Sequence, residues 1–325
     1  MRRMRGEAGG LFRSELPEQL WRTSARATLH WKPVLEPVAI AGAGKMGQAL
    51  GRLLRERGEI VAAVASRRPE QAMAAASFVG GGAIAAACRD LPRYATRILI
   101  AVPDEAIPDV ARVLAEAGLH GGAALHTCGA RGPEVLAPLA AVGVSCGALH
   151  PLQTVASPEH GVRALQGVAF AIDGEGAARA WAEQIVALLG GLVLRVPARA
   201  KPLYHAAAVL AGNCLVTLMS AAVILMKEAG VEESLALRAL APLARTSVEN
   251  AAQLGPPAAL TGPIARGDAA TVRTHLDALR QAPASVANLY RAAGRATVEL
   301  ARQRGLPDDA AHAIEELLRN GETHA

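Results

Sequence analysis

The chain has 325 residues, 51% apolar and 19% charged, which is long enough for two domains with buried cores and too apolar for a disordered chain. Its net charge of +5 is concentrated at the start: residues 1–34 hold seven basic and three acidic side chains, and the rest is nearly neutral. With four lysines against 30 arginines and 3% aromatic residues, neither a basic tract nor a set of base-stacking rings is available, which argues against nucleic-acid binding.

Residues 1–35 are expected to be a disordered basic extension, since they lack the apolar run of a secretory leader. Cys88, Cys128, Cys146 and Cys214 are widely separated with no C-x-x-C pair. No metal site and no disulfide frame are expected, and a reducing cytoplasmic location follows.

From Pro37 onward short apolar runs alternate with helical periods, the pattern of βαβ units and a parallel sheet. Strands are predicted at Val38 to Ala41, Ile60 to Ala65, Arg97 to Val102 and Ala123 to His126, with later ones at Val144 to Leu149, Val168 to Ile172 and Leu192 to Val196. The third strand is too weakly marked to place. A helix over Lys45 to Arg57 carries Met46, Ala49, Leu50, Leu53 and Leu54 on one face. After Pro197 helical patterns take over: Pro202 to Ala229, Glu232 to Leu254, Ala269 to Leu279, Ala284 to Arg304 and Pro307 to Leu318. The expected fold is α/β, a Rossmann domain with a doubly wound, mostly parallel sheet over 36–198, followed by an all-α domain over 199–325.

Leu203 to Met226 holds 24 residues without a formal charge, long enough to span a bilayer. His205, Asn213, Thr217 and Ser220 interrupt it and no second span follows. A helix buried on all sides by protein is expected, with no membrane.

Gly42-Ala43-Gly44-Lys45-Met46-Gly47 follows the first strand and opens a helix, the context that gives a G-x-G-x-x-G motif meaning. Gly42 allows the tight turn, Gly44 lets backbone approach a pyrophosphate, Gly47 lets helix and sheet pack closely, and the free N–H groups of the helix start meet the phosphates. About 20 residues on, where an NAD enzyme carries a carboxylate for the ribose hydroxyls, stands Ser66-Arg67-Arg68. A hydroxyl and two guanidiniums suit a 2′-phosphate, so NADP(H) is the expected cofactor. Val102, Pro103 and Thr127, at the carboxyl ends of strands, are expected to border the nicotinamide ribose.

The Gly motif, His126-Thr127-Cys128-Gly129-Ala130, His150-Pro151-Leu152-Gln153-Thr154, Tyr204-His205-Ala206-Ala207 with Asn213, and Thr261 to Asp268 together resemble predicted oxidoreductases that join a Rossmann-like domain to a C-terminal domain of unknown function. More distantly the chain is similar to pyrroline-5-carboxylate reductase, ketopantoate reductase and β-hydroxyacid dehydrogenases. The resemblance covers roughly residues 36 to 300. It implies hydride transfer from NADPH to a small carbonyl or imine, a 2-oxo acid such as ketopantoate among them, in a cleft between the domains, and a homodimer formed by the helical domain. The chain departs from the β-hydroxyacid dehydrogenase pattern, in which a lysine stands four residues before the helix asparagine: Val209 is there, and Lys201 is the nearest lysine.

Carbonyl reduction builds negative charge on oxygen, so the site needs a donor for that charge and an anchor for the rest of the substrate. His205 is the leading acid, with Asn213 two turns on to hold the oxygen. His150 is the rival acid, and Tyr204 either orients the His205–Asn213 pair or fills core, the second being favoured. Gln153, Thr154 and Arg266 are candidate contacts to an anionic small-molecule substrate, Arg266 as a carboxylate clamp from either its own chain or a partner's. An alternative of another class is a non-catalytic NADP(H)-binding redox sensor, which needs the dinucleotide motif and no proton donor.

Overall fold

The computed structural model describes residues 36–319; the extension expected over 1–35 lies outside the described residues. Eight strands form one sheet in the order β3-β2-β1-β4-β5-β6-β7-β8: β1 Val38–Ala41, β2 Val61–Ala65, β3 Ile84–Ala86, β4 Arg97–Ile100, β5 Ala123–His126, β6 Ser145–Pro151, β7 Ala169–Gly174 and β8 Leu192–Arg195. All neighbouring pairs are parallel except β6 with β7, so the doubly wound, mostly parallel sheet expected from the sequence is present.

Helices cover both faces, and this is why β1 reads as an unbroken apolar run. Val38 and Ile40 join Leu50, Leu53 and Leu54 of α1 (Lys45–Glu56) in one core. Ala39 and Ala41 face the opposite way, into a core with Leu91, Ile107 and Leu114. The remaining helices of this half are α2 Pro69–Val79, α3 Ile107–Glu116, α4 Ala137–Ala140, α5 Pro158–Ala164 and α6 Gly176–Leu188. The unplaced third strand is β3, three residues after Gly80, Gly81 and Gly82, all at positive φ. So short a strand shows no alternation to detect.

The C-terminal part is helical: α7 Lys201–Ala211, α8 Asn213–Glu228, α9 Glu233–Leu254, α10 Pro256–Ala259, α11 Ala269–Ala278, α12 Ala284–Gln303 and α13 Asp308–Arg319. Val272, Leu276, Val298, Ala311, Ile314 and Leu318 form its core.

Two expectations for the long apolar helix are corrected. It is interrupted at Gly212, whose φ of −107° and ψ of −74° lie at the edge of the right-handed helical region without leaving it, and Gly212 N still donates to Ala208 O at 2.9 Å. Nor is it enclosed: within the helical stretch Ala198–Glu228, the most apolar 18-residue window has a mean hydropathy of 2.1 and only 6% of it is buried. Leu203, Leu210 and Val216 are 79%, 68% and 69% exposed. One chain supplies too few packing partners: α8 lies against α7 and α9 and sets Ala221, Ile224 and Leu225 on the helical core, and much of the rest of α7 and α8 is left exposed.

Candidate active site

The glycine loop has the geometry its spacing implies. Gly42 sits at φ +129°, and a Cβ there would stand 2.1 Å from Ala101 O. A Cβ on Gly47 would stand 2.1 Å from Gly42 O, whereas one on Gly44 would meet nothing within 4 Å. Two glycines thus make the turn and its packing, and the third leaves open room above the backbone. α1 starts with no side-chain cap and no acid in its first turn, so its first N–H groups are left for an anion.

This loop forms one wall of a cleft of about 460 Å³ that also takes in Ser66, Arg67, Arg68, Val102 and Pro103. Gln71 and Cys88 line it too and were not foreseen. Ser66 Oγ accepts from Arg68 N at 3.3 Å, and both arginine side chains are exposed. Behind the loop Met46 packs on the core, Gly47 is buried and Lys45 is exposed. Thr127 continues β5, its N–H donating to Ile100 O at 3.1 Å.

A second group of side chains gathers on the same carboxyl edge of the sheet, where ligands of open α/β sheets bind. A Cβ on Gly129 would stand 2.7 Å from His150 Nε2 and 2.8 Å from His205 Nδ1, so glycine is needed for β5's exit loop to pass between two imidazoles. The histidine rings lie 6.0 Å apart. His150 Nδ1 is 2.9 Å from Tyr204 Oη. Burial, followed by repulsion from His205 and Lys201, lowers the His150 pKa to about 4, and burial raises the Tyr204 phenol to about 12. With Tyr204 O–H donating to Nδ1, the neutral His150 ring carries its proton on Nε2, toward Gly129. His205 Nδ1 is buried without a partner.

Beneath them His126 is fully buried. Cys128 N donates to its Nδ1 at 3.2 Å, and its Nε2 lies 3.0 Å from Gly132 O. Both nitrogens are committed to the neutral ring, and burial lowers the pKa to about 4. Burial also pushes the Cys128 thiol up to about 11, far from a thiolate nucleophile. Lys201 is 0% exposed and its Nζ has no hydrogen-bond partner among the described residues.

The structure gathers His150, Tyr204 and His205 but leaves other candidates outside. Asn213 opens α8 just after Gly212 and is exposed, outside the buried cluster. Gln153 and Thr154 are exposed after β6, with Gln153 Oε1 accepting from Thr154 N at 2.8 Å. Thr154 Cγ2 is 3.7 Å from where a Cβ of Gly212 would be, which brings that loop to the junction of α7 and α8. Arg266 is exposed in a separate hollow walled by Thr261, Ala265, Arg304 and Leu306, all in the helical part. Within one chain it does not clamp a ligand at the sheet edge. Tyr204 and Lys201 are the residues whose place was missed, one read as core and the other as a helix approach.

A Rossmann-like domain model matches residues 25–151, and the model of a domain of unknown function (DUF2520) matches residues 168–297. The chain joins a Rossmann-like domain to a DUF2520 domain. The DUF2520 match takes in β7 and β8 although both strands complete the sheet, and so begins before the boundary near 198 that the strand pattern suggested. No curated protein matches the sequence. Among solved structures, a Bacteroides fragilis protein described as an NADP oxidoreductase is 21% identical with a TM-score of 0.63, covering 86% of this chain and 98% of that one. An imine reductase from a Pseudomonas species is 20% identical with a TM-score of 0.58, covering 86% and 98%. Pyrroline-5-carboxylate reductase of Streptococcus pyogenes is 15% identical with a TM-score of 0.55, covering 87% and 96%. At such identities the shared property is the fold.

Proposed function

We propose that this chain is an NADP(H)-dependent reductase that delivers a hydride to a small carbonyl or imine compound. The observation that carries the reading is the pairing, along one sheet edge, of a dinucleotide-shaped cleft with the Tyr204–His150–His205 cluster. Ser66, Arg67 and Arg68 at the end of β2 favour a 2′-phosphate over two free ribose hydroxyls. The names of the neighbouring structures, an NADP oxidoreductase, an imine reductase and a pyrroline-5-carboxylate reductase, support the same chemistry.

Bound in the cleft, the reduced nicotinamide supplies the hydride. The chain's part is electrostatic: Tyr204 holds the His150 tautomer, and His150 Nε2–H donates to the substrate oxygen or nitrogen as negative charge grows there. A neutral imidazole is well suited to donating without ionising first. The proton that completes the alcohol or amine is drawn from solvent, with His205, whose Nδ1 is unclaimed among the described residues, placed to relay it. A panel of 2-oxo acids and cyclic imines, followed by NADPH oxidation, tests the reading. Tight NADPH binding with no turnover across the panel, and no effect of His205→Ala, would favour the sensor.

We propose further that the open faces of α7, α8 and α9 are covered by a second copy of the chain. Leu203, Leu210 and Val216 on α7 and α8, and Leu235, Leu237, Leu243 and Val248 on the adjoining α9, are all exposed, and apolar surface of this kind marks an interaction face. Lipid fits less well, because α9, packed beside α8, carries exposed Arg238, Arg245 and Glu249.

A further inference from the structure

Lys201 is the one lysine among the fully buried side chains of the described residues, and its Nζ donates to nothing there. An ammonium taken out of water without an acceptor is costly, and natural folds keep such groups where a ligand supplies the missing partner. Its surroundings are the substrate edge rather than a structural core. Burial lowers its pKa, opposed by Asp173, Cys128 and Glu134, and its charge is felt by His126 and His150. His126 and Asp173 lie level with one another, each paired to Ala148 across the sheet. Two further buried atoms in this neighbourhood, His205 Nδ1 and Asp173 Oδ2, also lack partners. The helical stretch that Lys201 sits in opens at Ala198, and neither its 3-10 turn nor the start of α7 carries an acid in the first turn or a side-chain cap. Its positive end is uncompensated.

Resting on the reductase reading, we propose that Lys201 is the anion anchor of the substrate site, binding the carboxylate of a small oxo or imino acid whose reducible carbon lies beside His150 and His205. The ligand-free chain closes over the ammonium, and the four-carbon stem lets Nζ swing to the carboxylate when it enters beside Gly129. This places the substrate among acids and sets it apart from uncharged ketones and imines.

The test titrates oxamate, a 2-oxo acid analogue, calorimetrically into wild type, Lys201→Met and Lys201→Arg, each with and without NADP+. Loss of a charge-assisted contact is expected to weaken oxamate by about tenfold or more in Lys201→Met, with partial recovery in Lys201→Arg and unchanged NADP+ affinity. Ligand-free Lys201→Met is expected to melt no lower than wild type, because an apolar side chain replaces an unpaired buried charge. Equal oxamate affinity in wild type and Lys201→Met, or no oxamate binding to wild type, overturns the proposal. So does a melting point several degrees lower in Lys201→Met, which would make the lysine structural. A wild type that binds oxamate but no NADP+ would sink the reductase reading and leave the anchor standing.

Discussion

Tyr204 Oη lies 2.9 Å from His150 Nδ1, and the two rings meet edge to face with centroids 5.6 Å apart. A residue at the start of α7 therefore sets the tautomer of a residue at the end of β6, linking the helical half to the sheet through one hydrogen bond. Tyr204→Phe keeps the ring contact and removes the bond. We expect kcat to fall by roughly ten- to a hundredfold, below the full value of a lost general acid, with NADPH affinity unchanged in a fluorescence titration. A variant with wild-type kcat would remove Tyr204 from the mechanism.

Acid sensitivity should follow from His126. In the unfolded chain an imidazole titrates near its model value of 6.5, while in the fold it does so at about 4. Between those values the unfolded state binds a proton that the native state refuses, so stability is lost as pH falls from about 6.5 to about 4 and is unaffected above. For this one group the loss is on the order of 3 kcal/mol. Urea denaturation at pH 7 and pH 4.5 would measure it. His126→Asn, which cannot take up the proton, should remove about half of the dependence over that interval, the rest belonging to His150, which is likewise lowered to about 4; an unchanged slope would assign the effect elsewhere.

The proposed preference for NADP(H) rests on two exposed side chains, Arg67 and Arg68, which makes it cleanly testable. Arg67→Ala with Arg68→Ala should weaken NADPH by roughly 10- to 100-fold, the scale of one or two charge-assisted contacts, and leave NADH nearly as it was. Parallel titrations of both cofactors decide it, and equal weakening would refute a 2′-phosphate role.

What the sequence disclosed and what it hid divide along a physical line. Gly42, Gly44 and Gly47 were legible because their work is done by local backbone, so spacing maps onto geometry. Ser66, Arg67 and Arg68 were legible because a strand end has a fixed place in a doubly wound sheet. Tyr204 and Lys201 were not, since a tyrosine beside an apolar run and a lysine before Pro202 carry no local mark of the partners that β5, β6 and β7 bring to them. Asn213 was placed in the site by helical spacing alone, which does not report that its side of α8 is exposed. The exposure of Leu210 was hidden because composition reports that a surface must be covered and is silent on which chain covers it.

That covering is testable by sedimentation. The wild-type chain should run as a dimer at micromolar concentration, and Leu210→Glu with Val216→Glu should run as a monomer, since two carboxylates cannot be buried unpaired in such an interface. A monomeric wild type would refute the second copy. A chain that is recovered in membranes and needs detergent would instead assign the face to lipid.

The glycines allow turn geometry to be separated from ligand contact. A Cβ on Gly47 would meet Gly42 O at 2.1 Å, backbone against backbone, and neither α1 nor β1 can retreat from a core in which Leu50 and Ile40 are fully buried. Gly47→Ala should therefore cost stability on the order of 3 kcal/mol, in the range of severe packing lesions, and lower the melting point whether or not cofactor is present. A Cβ on Gly44 meets nothing within 4 Å in the ligand-free chain, so Gly44→Ala should melt as wild type does. Its methyl group would stand where a pyrophosphate comes closest to the backbone, so NADPH binding should weaken by roughly tenfold or more. Thermal melts of both variants with and without NADPH separate the two effects. If Gly44→Ala bound NADPH as tightly as wild type, the phosphates would not approach this loop as its spacing implies.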